Sequence, residues 1–286
     1  MTVANAKLSP SAETKGQDVK VDIFHINQIP DAMDAMGWKT APKLMRHWFS
    51  ISPAFKFSEN TKTKYLQGDA RNIPDALVND SIVKMSWAKK YIENEIIHAL
   101  HNWNTPKGIQ LLKKRLITAG YAAGNNVKLG ESNNARVLDA TAQVNTFSIG
   151  GLLDTIDDWY GAIGNANLKV VINGETAIRN NRNVFLVKAI GVYIKDTYDF
   201  VNNSYDEPLG IWSQSRVLTK AETAVYMSSY VQGLFGLLAR RWSGFVPVFN
   251  NDFRDWQEKH DSGGDFIVFS DVMWLYPAAG QEIIFL

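Results

Sequence analysis

One stretch of this chain narrows its possible folds more than any other. From Leu168 to Ile172 and again from Val184 to Lys195, β-branched and other large apolar residues dominate, and Asn173-Gly174 closes the first run. This composition favours strands over helix and predicts a long hairpin. Asn-Gly is a strong hairpin signal, so the turn is expected there, with a longer loop allowed by the polar residues that follow. Phe266–Trp274 reads as a further strand, and Val21–Ile26 and Ile82–Met85 as short ones.

A ribbon of this kind must be covered, and the residues before it supply helices. Pro30 and Asp31 open one that Gly37 ends. Thr40 and Pro42 start a second, whose Leu44, Met45, Trp48 and Phe49 form a helical stripe. Trp87–Trp103 carries Ile92, Ile96, Ala99, Leu100 and Trp103 on one face, and Thr105-Pro106 starts another helix that Gly120 stops. Ser52–Asp80 reads as loop. Leu152–Tyr160 and Thr219–Ala239 read as later helices. Helices first and mostly strands afterwards predict an α+β fold, a helical N-terminal region packed on a C-terminal antiparallel, partly barrel-like sheet. The expected segments are a disordered leader over residues 1–20, the helical region over 21–124, and an α+β domain over 135–286 that holds any chemistry. The Gly-, Asn- and Ser-rich stretch Gly124–Asn134 separates the last two.

Composition closes off several function classes. A formal net charge of +1 gives no field to gather nucleic acid. The absence of cysteine excludes disulfides, thiolate metal sites and cysteine nucleophiles. Met1–Asp18 lacks the apolar block of a signal peptide, and no stretch approaches the roughly 20 apolar residues that span a bilayer. A site of action beyond the cytoplasm would therefore require another carrier. The sequence has no G-x-S-x-G, no phosphate loop ending in Gly-Lys-Ser/Thr and no H-E-x-x-H.

Four clusters remain. Glu95, His98 and His101 have helical spacing, but His101 points away from the apolar face, which favours solvated histidines over a metal site. Asp154, Asp157 and Asp158 fit an exposed acidic face better than a cation site. Asp196-Thr-Tyr198-Asp199 ends the long apolar run. Two carboxylates where a strand gives way to a loop suit Mg²⁺ or Ca²⁺, or general acid/base work, and equally suit a capped turn. Finally, Asp252–His260 reads as a helix with Phe253 and Trp256 inward. Its His260 serves either as a helix-end histidine or as an acid/base group, and its Arg254 offers a phosphate contact.

Several motifs resemble a family. Ser81-Ile-Val-Lys-Met-Ser-Trp87, Gly191-Val-Tyr-Ile-Lys-Asp-Thr-Tyr-Asp-Phe200, Pro208-Leu-Gly-Ile-Trp212, and Asp252-Phe-Arg-Asp-Trp256 with Gly263-Gly-Asp-Phe-Ile-Val-Phe-Ser-Asp271 are similar to an uncharacterised bacterial family. Its members are often encoded beside type VI secretion spike proteins. A second resemblance concerns mechanism. Gly161-Ala-Ile-Gly-Asn165, Leu168–Gly174 and Asp196-Thr-Tyr-Asp-Phe200 look like the active half of colicin M-type bacteriocins. That family cleaves lipid II with a divalent cation and carries Asp-x-Tyr-Asp followed, after five residues, by His-Arg. Here Asp196, Tyr198 and Asp199 match, while Tyr205 and Asp206 replace His-Arg.

These resemblances imply an antibacterial type VI effector, a metal-dependent hydrolase that cuts a phosphoester of lipid II or another undecaprenyl phosphate carrier and so blocks peptidoglycan synthesis. Asp196 and Asp199 would hold Mg²⁺ or Ca²⁺, Tyr198 would orient the phosphate, Arg254 would bind it and His260 would protonate the leaving oxygen. The implied partners are the lipid-linked precursor, a spike protein or adaptor, and a cognate immunity protein, with no nucleic acid. The implied route runs from the cytoplasm, without a signal peptide, to the periplasm of a target cell. The alternative is a non-enzymatic adaptor that loads an effector onto the spike through its Trp-rich N-terminal helices.

Overall fold

The computed structural model describes residues 24–68, 70–151, 155–201 and 208–286. The expected leader and the positions of Asp154, Tyr205 and Asp206 lie outside them. The fold is mixed α+β, with N-terminal helices and a curled, mostly antiparallel half-barrel sheet in the C-terminal half.

The N-terminal helices are α1 (Ile29–Ala35), α2 (Ala41–Ser50), α3 (Glu59–Gln67), α4 (Met85–Asn102) and α5 (Pro106–Thr118). Short strand β1 (Val78–Asn79) precedes α4, while β2 (Lys128–Leu129), α6 (Ala135–Thr141), β3 (Gln143–Ile149) and α7 (Asp158–Ala162) follow α5. The long ribbon is β4 (Ala166–Arg179) and β5 (Arg182–Tyr198). After it come β6 (Gly210–Trp212), α8 (Lys220–Val231), α9 (Phe235–Arg241), β7 (Val246–Val248), α10 (Asn250–His260), β8 (Phe266–Phe269), β9 (Met273–Leu275) and β10 (Ile283–Phe285).

The hairpin forms, but it turns elsewhere than at Asn173-Gly174. Strand β4 runs through that pair as a bulge and reverses at Asn180-Asn181, whose φ values of 50° and 59° suit a two-residue turn of the right hand for twisted strands. Gly174 is used for close approach instead, since a Cβ there would lie 2.1 Å from the Leu186 carbonyl oxygen. Strand β5 then serves as the spine of the sheet. One of its edges pairs with β4, and the other takes β10, β9 and β8 end to end along its length. The run expected as one strand over Phe266–Trp274 is thus two short strands meeting β5 at different heights. Strand β1 adds to β8 in parallel, and it lies at Val78–Asn79, ahead of the expected Ile82–Met85, because Met85 already opens α4.

One continuous apolar core joins both halves, from Ile29, Leu44 and Trp48 through Leu112 to Tyr193, Phe253 and Phe269. Trp48 and Trp103 are fully buried and Trp38 nearly so, while Trp87 is half-buried, so three of the four N-terminal tryptophans serve this core. Helix α3 lies within the stretch read as loop. It has no buried residue and so leaves no apolar stripe in the sequence, although Ser58 caps it through the Thr61 amide.

A smaller core lies apart from the main one. Ile211, Leu218, Tyr226, Leu238 and Trp242 pack between the β6–β7 ribbon and the α8–α9 hairpin. The single helix expected over Thr219–Ala239 breaks at Gly233, where φ is +71°.

Candidate functional site

Strand β5 ends at Tyr198, and its end borders a cavity of about 280 Å³. The walls are mostly apolar: Met33, Trp38 and Met45 from α1, α2 and the turn between them, Gly161–Gly164 around α7, Thr197–Phe200 at the strand end, and Leu209, Trp212 and Val248 from the β6–β7 unit. Segments distant in sequence converge here because α7 packs under α2. The link is the Asp158 carboxylate, which accepts the backbone amides of Lys39, Thr40 and Ala41 at 2.8–3.1 Å and the Trp87 indole at 3.0 Å. It caps α2 from across the fold while Thr40, the expected cap, makes no side-chain cap bond. Asp157 caps α7 through the Tyr160 amide. Asp158 is buried and so is not part of the exposed acidic face expected from the sequence, while Asp157 is half-buried.

At the cavity's polar end, Asp199 Oδ1 accepts the Val201 amide at 3.1 Å, and both carboxylate oxygens meet the Lys62 ammonium at 3.1–3.2 Å. Asp199 is 5% exposed and Lys62 33%, so the pair is open to solvent from the lysine side. Asp196 lies two residues before Tyr198 on the same face of β5, and it is buried. Burial pushes its carboxyl well above the usual range; the Thr197 amide opposes this, Asp199 adds to it, and Lys62 opposes it. The two carboxylates and Lys62 therefore lie within electrostatic reach of one another. Tyr198 lines the cavity, stacks on Phe266 at 5.3 Å and points its hydroxyl at Met45 Sδ, 3.6 Å away. Burial raises its phenol as well.

The other two residues singled out in the sequence are placed differently. Arg254 makes a bidentate ion pair with Asp265, donating from Nη2 at 2.7 Å and Nη1 at 3.1 Å, and it also donates to the Phe200 carbonyl and to Gln257. Asp265 is fully buried and further accepts the Trp48 indole and the Phe57 amide. This guanidinium is therefore committed to holding α2 and α10 together and is not presented to a phosphate. His260 is exposed and stacks on Trp256 at 3.9 Å, two turns beyond the cavity-lining Phe253, a displacement of roughly 10 Å along α10. Nothing in the structure brings it to Asp196. His47, which sequence reading passed over, is nearer: its ring meets the edge of Phe266, the residue stacked on Tyr198. Lys62 was missed because α3 carries no helical stripe that would have placed it.

His98 contacts Asn102 and the Phe147 ring, with His101 on the exposed side of α4. Among the described residues, no group of three or more histidines and acids could hold a metal. The Asp199 oxygens are occupied by an ammonium, and no third ligand joins Asp196 and Asp199 among the described residues.

The polar residues inside the Gly191–Phe200 motif have a structural account too. Lys195 is buried and donates to Asp139 at 2.8 Å, while the Tyr193 hydroxyl donates to the other Asp139 oxygen, so the motif also fastens α6 to the sheet.

The family of unknown function DUF6402 matches residues 24–285, nearly the whole chain. The chain belongs to this family. The match runs from the start of the described residues through β10, so the family unit contains both the helical cover and the half-barrel, with the cavity between them. Neither the curated proteins nor the solved structures give a match.

Proposed function

We propose that this DUF6402 protein is an antibacterial effector, delivered by a type VI secretion apparatus, that acts on a lipid-linked phosphate-bearing precursor of the cell wall in the target periplasm. One observation carries the reading. Two segments that resemble colicin M-type bacteriocins, Gly161–Asn165 and Asp196–Phe200, lie apart in sequence yet contribute to the wall of one apolar cavity, at whose end sit Asp199 and Lys62. An apolar hollow with a charged pair at its rim suits an isoprenoid chain bearing a phosphate head.

In this reading the apolar walls take the first isoprene units, and Lys62 exchanges Asp199 for a phosphoryl oxygen. Water attacks phosphorus, Asp199 takes the water's proton, and the phosphorus–oxygen bond to the lipid breaks. Asp196, whose carboxyl burial pushes well above the usual range, gives its proton to the departing lipid oxygen. The products are a free polyprenol and the phosphorylated head group. His260 and Arg254 have no part in the chemistry, and no step runs through a metal.

The test is expression in a susceptible bacterium with and without an added export signal. Killing only on export, abolished by Asp199→Asn and by Lys62→Ala in variants that melt like the parent, is the expected result. Purified protein should release polyprenol from lipid II. Killing with lipid II left intact would refute the substrate, and harmlessness in both compartments would refute the effector reading.

A further inference from the structure

The α8–α9 hairpin exposes far more apolar surface than its fold requires. Its inner side supplies Tyr226, Leu238 and Trp242 to the small core. Its outer side leaves Val231 80% exposed, Phe235 61%, and Leu237, Leu234, Val225 and Tyr230 between 40% and 47%. Scattered apolar residues are ordinary on a surface, but six of them between Val225 and Leu237, on both sides of the α8–α9 turn, form a patch. Ring contacts hold the patch in shape, with Tyr230 stacked on Tyr226 and edge-on to Phe235.

Charge indicates what covers it. No residue from Thr223 through Ala239 is charged, and the stretch ends in Arg240-Arg241. Both arginines are exposed, and Arg241 lies over the Trp242 ring at 4.5 Å. Neither has an acidic partner among the described residues. Among the described residues of this unit, Glu222 at the start of α8 is bound to Arg216 and is held down to a pKa of about 2, chiefly by that bond. The hairpin therefore presents an apolar tip bordered by two exposed arginines that pair with no acid among the described residues. No described helix is long and apolar enough to cross a membrane, so the tip can enter only the interfacial layer.

We infer that the α8–α9 hairpin docks on an anionic lipid bilayer, with Val231, Leu234 and Phe235 buried among the acyl chains and Arg240 and Arg241 at phosphate level. This inference does not rest on the hydrolysis reading, and a protein that docks and cleaves nothing would satisfy it. Should both hold, they fit together, because the β6–β7 unit beneath the hairpin contributes Trp212 and Val248 to the cavity.

The experiment is sedimentation of the full chain with vesicles of phosphatidylglycerol and phosphatidylcholine, beside vesicles of phosphatidylcholine alone. The expected result is binding to the anionic vesicles that weakens with salt and is at least about tenfold tighter than to neutral ones, from roughly 1 kcal/mol per basic residue. Arg240→Ser with Arg241→Ser should remove most of that preference. Val231→Ser with Phe235→Ser should weaken binding by about tenfold or more while the melting temperature stays within a few degrees, since neither side chain is buried. The chain has no cysteine, so Val231→Cys offers a single labelling site. An environment-sensitive dye there should shift to the blue with anionic vesicles and be quenched by lipids labelled in the acyl chain. Protein that stays in the supernatant, or a dye that reports water throughout, overturns the inference. A dimer in light scattering that Val231→Ser with Phe235→Ser dissociates, without vesicle binding by the parent, would assign the patch to a second copy instead.

Discussion

Replacing Arg254 by methionine should destabilise the fold by about 3–5 kcal/mol, the usual cost of leaving one member of a buried ion pair alone. The structure places the site at that end of the scale for identifiable reasons. Asp265 is 0% exposed, and two of its four hydrogen-bond donors come from the guanidinium. Without them a buried carboxylate keeps only the Trp48 indole and the Phe57 amide. The Phe200 carbonyl also loses the Nε donor at 3.0 Å, which adds about 1 kcal/mol if water cannot replace it. Against a total stability of roughly 5–15 kcal/mol, the loss should lower the melting temperature of a chain this long by about 5–10 °C. The assay is thermal and urea unfolding by circular dichroism, run together with Arg254→Lys, Asp265→Asn and the Arg254→Met/Asp265→Asn double variant. Lysine keeps the charge but not the fork, so it should lose less than methionine. The double variant should lose less than the sum of the two singles, because each single leaves the partner uncompensated. An Arg254→Met protein that melts within about 2 °C of the parent would refute the argument. It would show a guanidinium facing solvent, free to meet a substrate.

Two further outcomes follow from the same contacts. Asp158→Ala strips the acceptor from three amides at the start of α2 and from the Trp87 indole, and should cost about 2–4 kcal/mol in urea unfolding; a loss under about 0.5 kcal/mol would mean that water caps the helix equally well. Asp196 holds its proton to higher pH folded than unfolded, so from about pH 4 upward the native state binds more protons and stability falls as pH rises. Asp196→Asn removes that dependence and should melt above the parent at pH 7 by a margin that shrinks toward pH 4, whereas a margin independent of pH would place the carboxylate in water.

The sequence by itself determined the class of fold and most of its elements. Apolar spacing of 3.6 located α2 and α4, and the β-branched runs located β4 and β5, because burial on one or both faces leaves a periodic mark on the chain, while the Thr105-Pro106 start and Gly120 stop located α5. It also singled out Asp196, Tyr198 and Asp199, since paired carboxylates at the end of an apolar run stand out against their neighbours. Tertiary structure decided where local signals compete. Asn173-Gly174 could make a turn or a bulge, and the choice rests on the Leu186 carbonyl of the facing strand, which no local pattern records. Thr40 could have capped α2, yet Asp158 does so from a distant helix. Arg254 and His260 read as reactive groups because sequence shows a side chain's chemistry but not its partner. Asp265 claims one, and the stack on Trp256 keeps the other at the surface. Lys62 could be found only from the fold, because the contact that gives it meaning joins two segments through space.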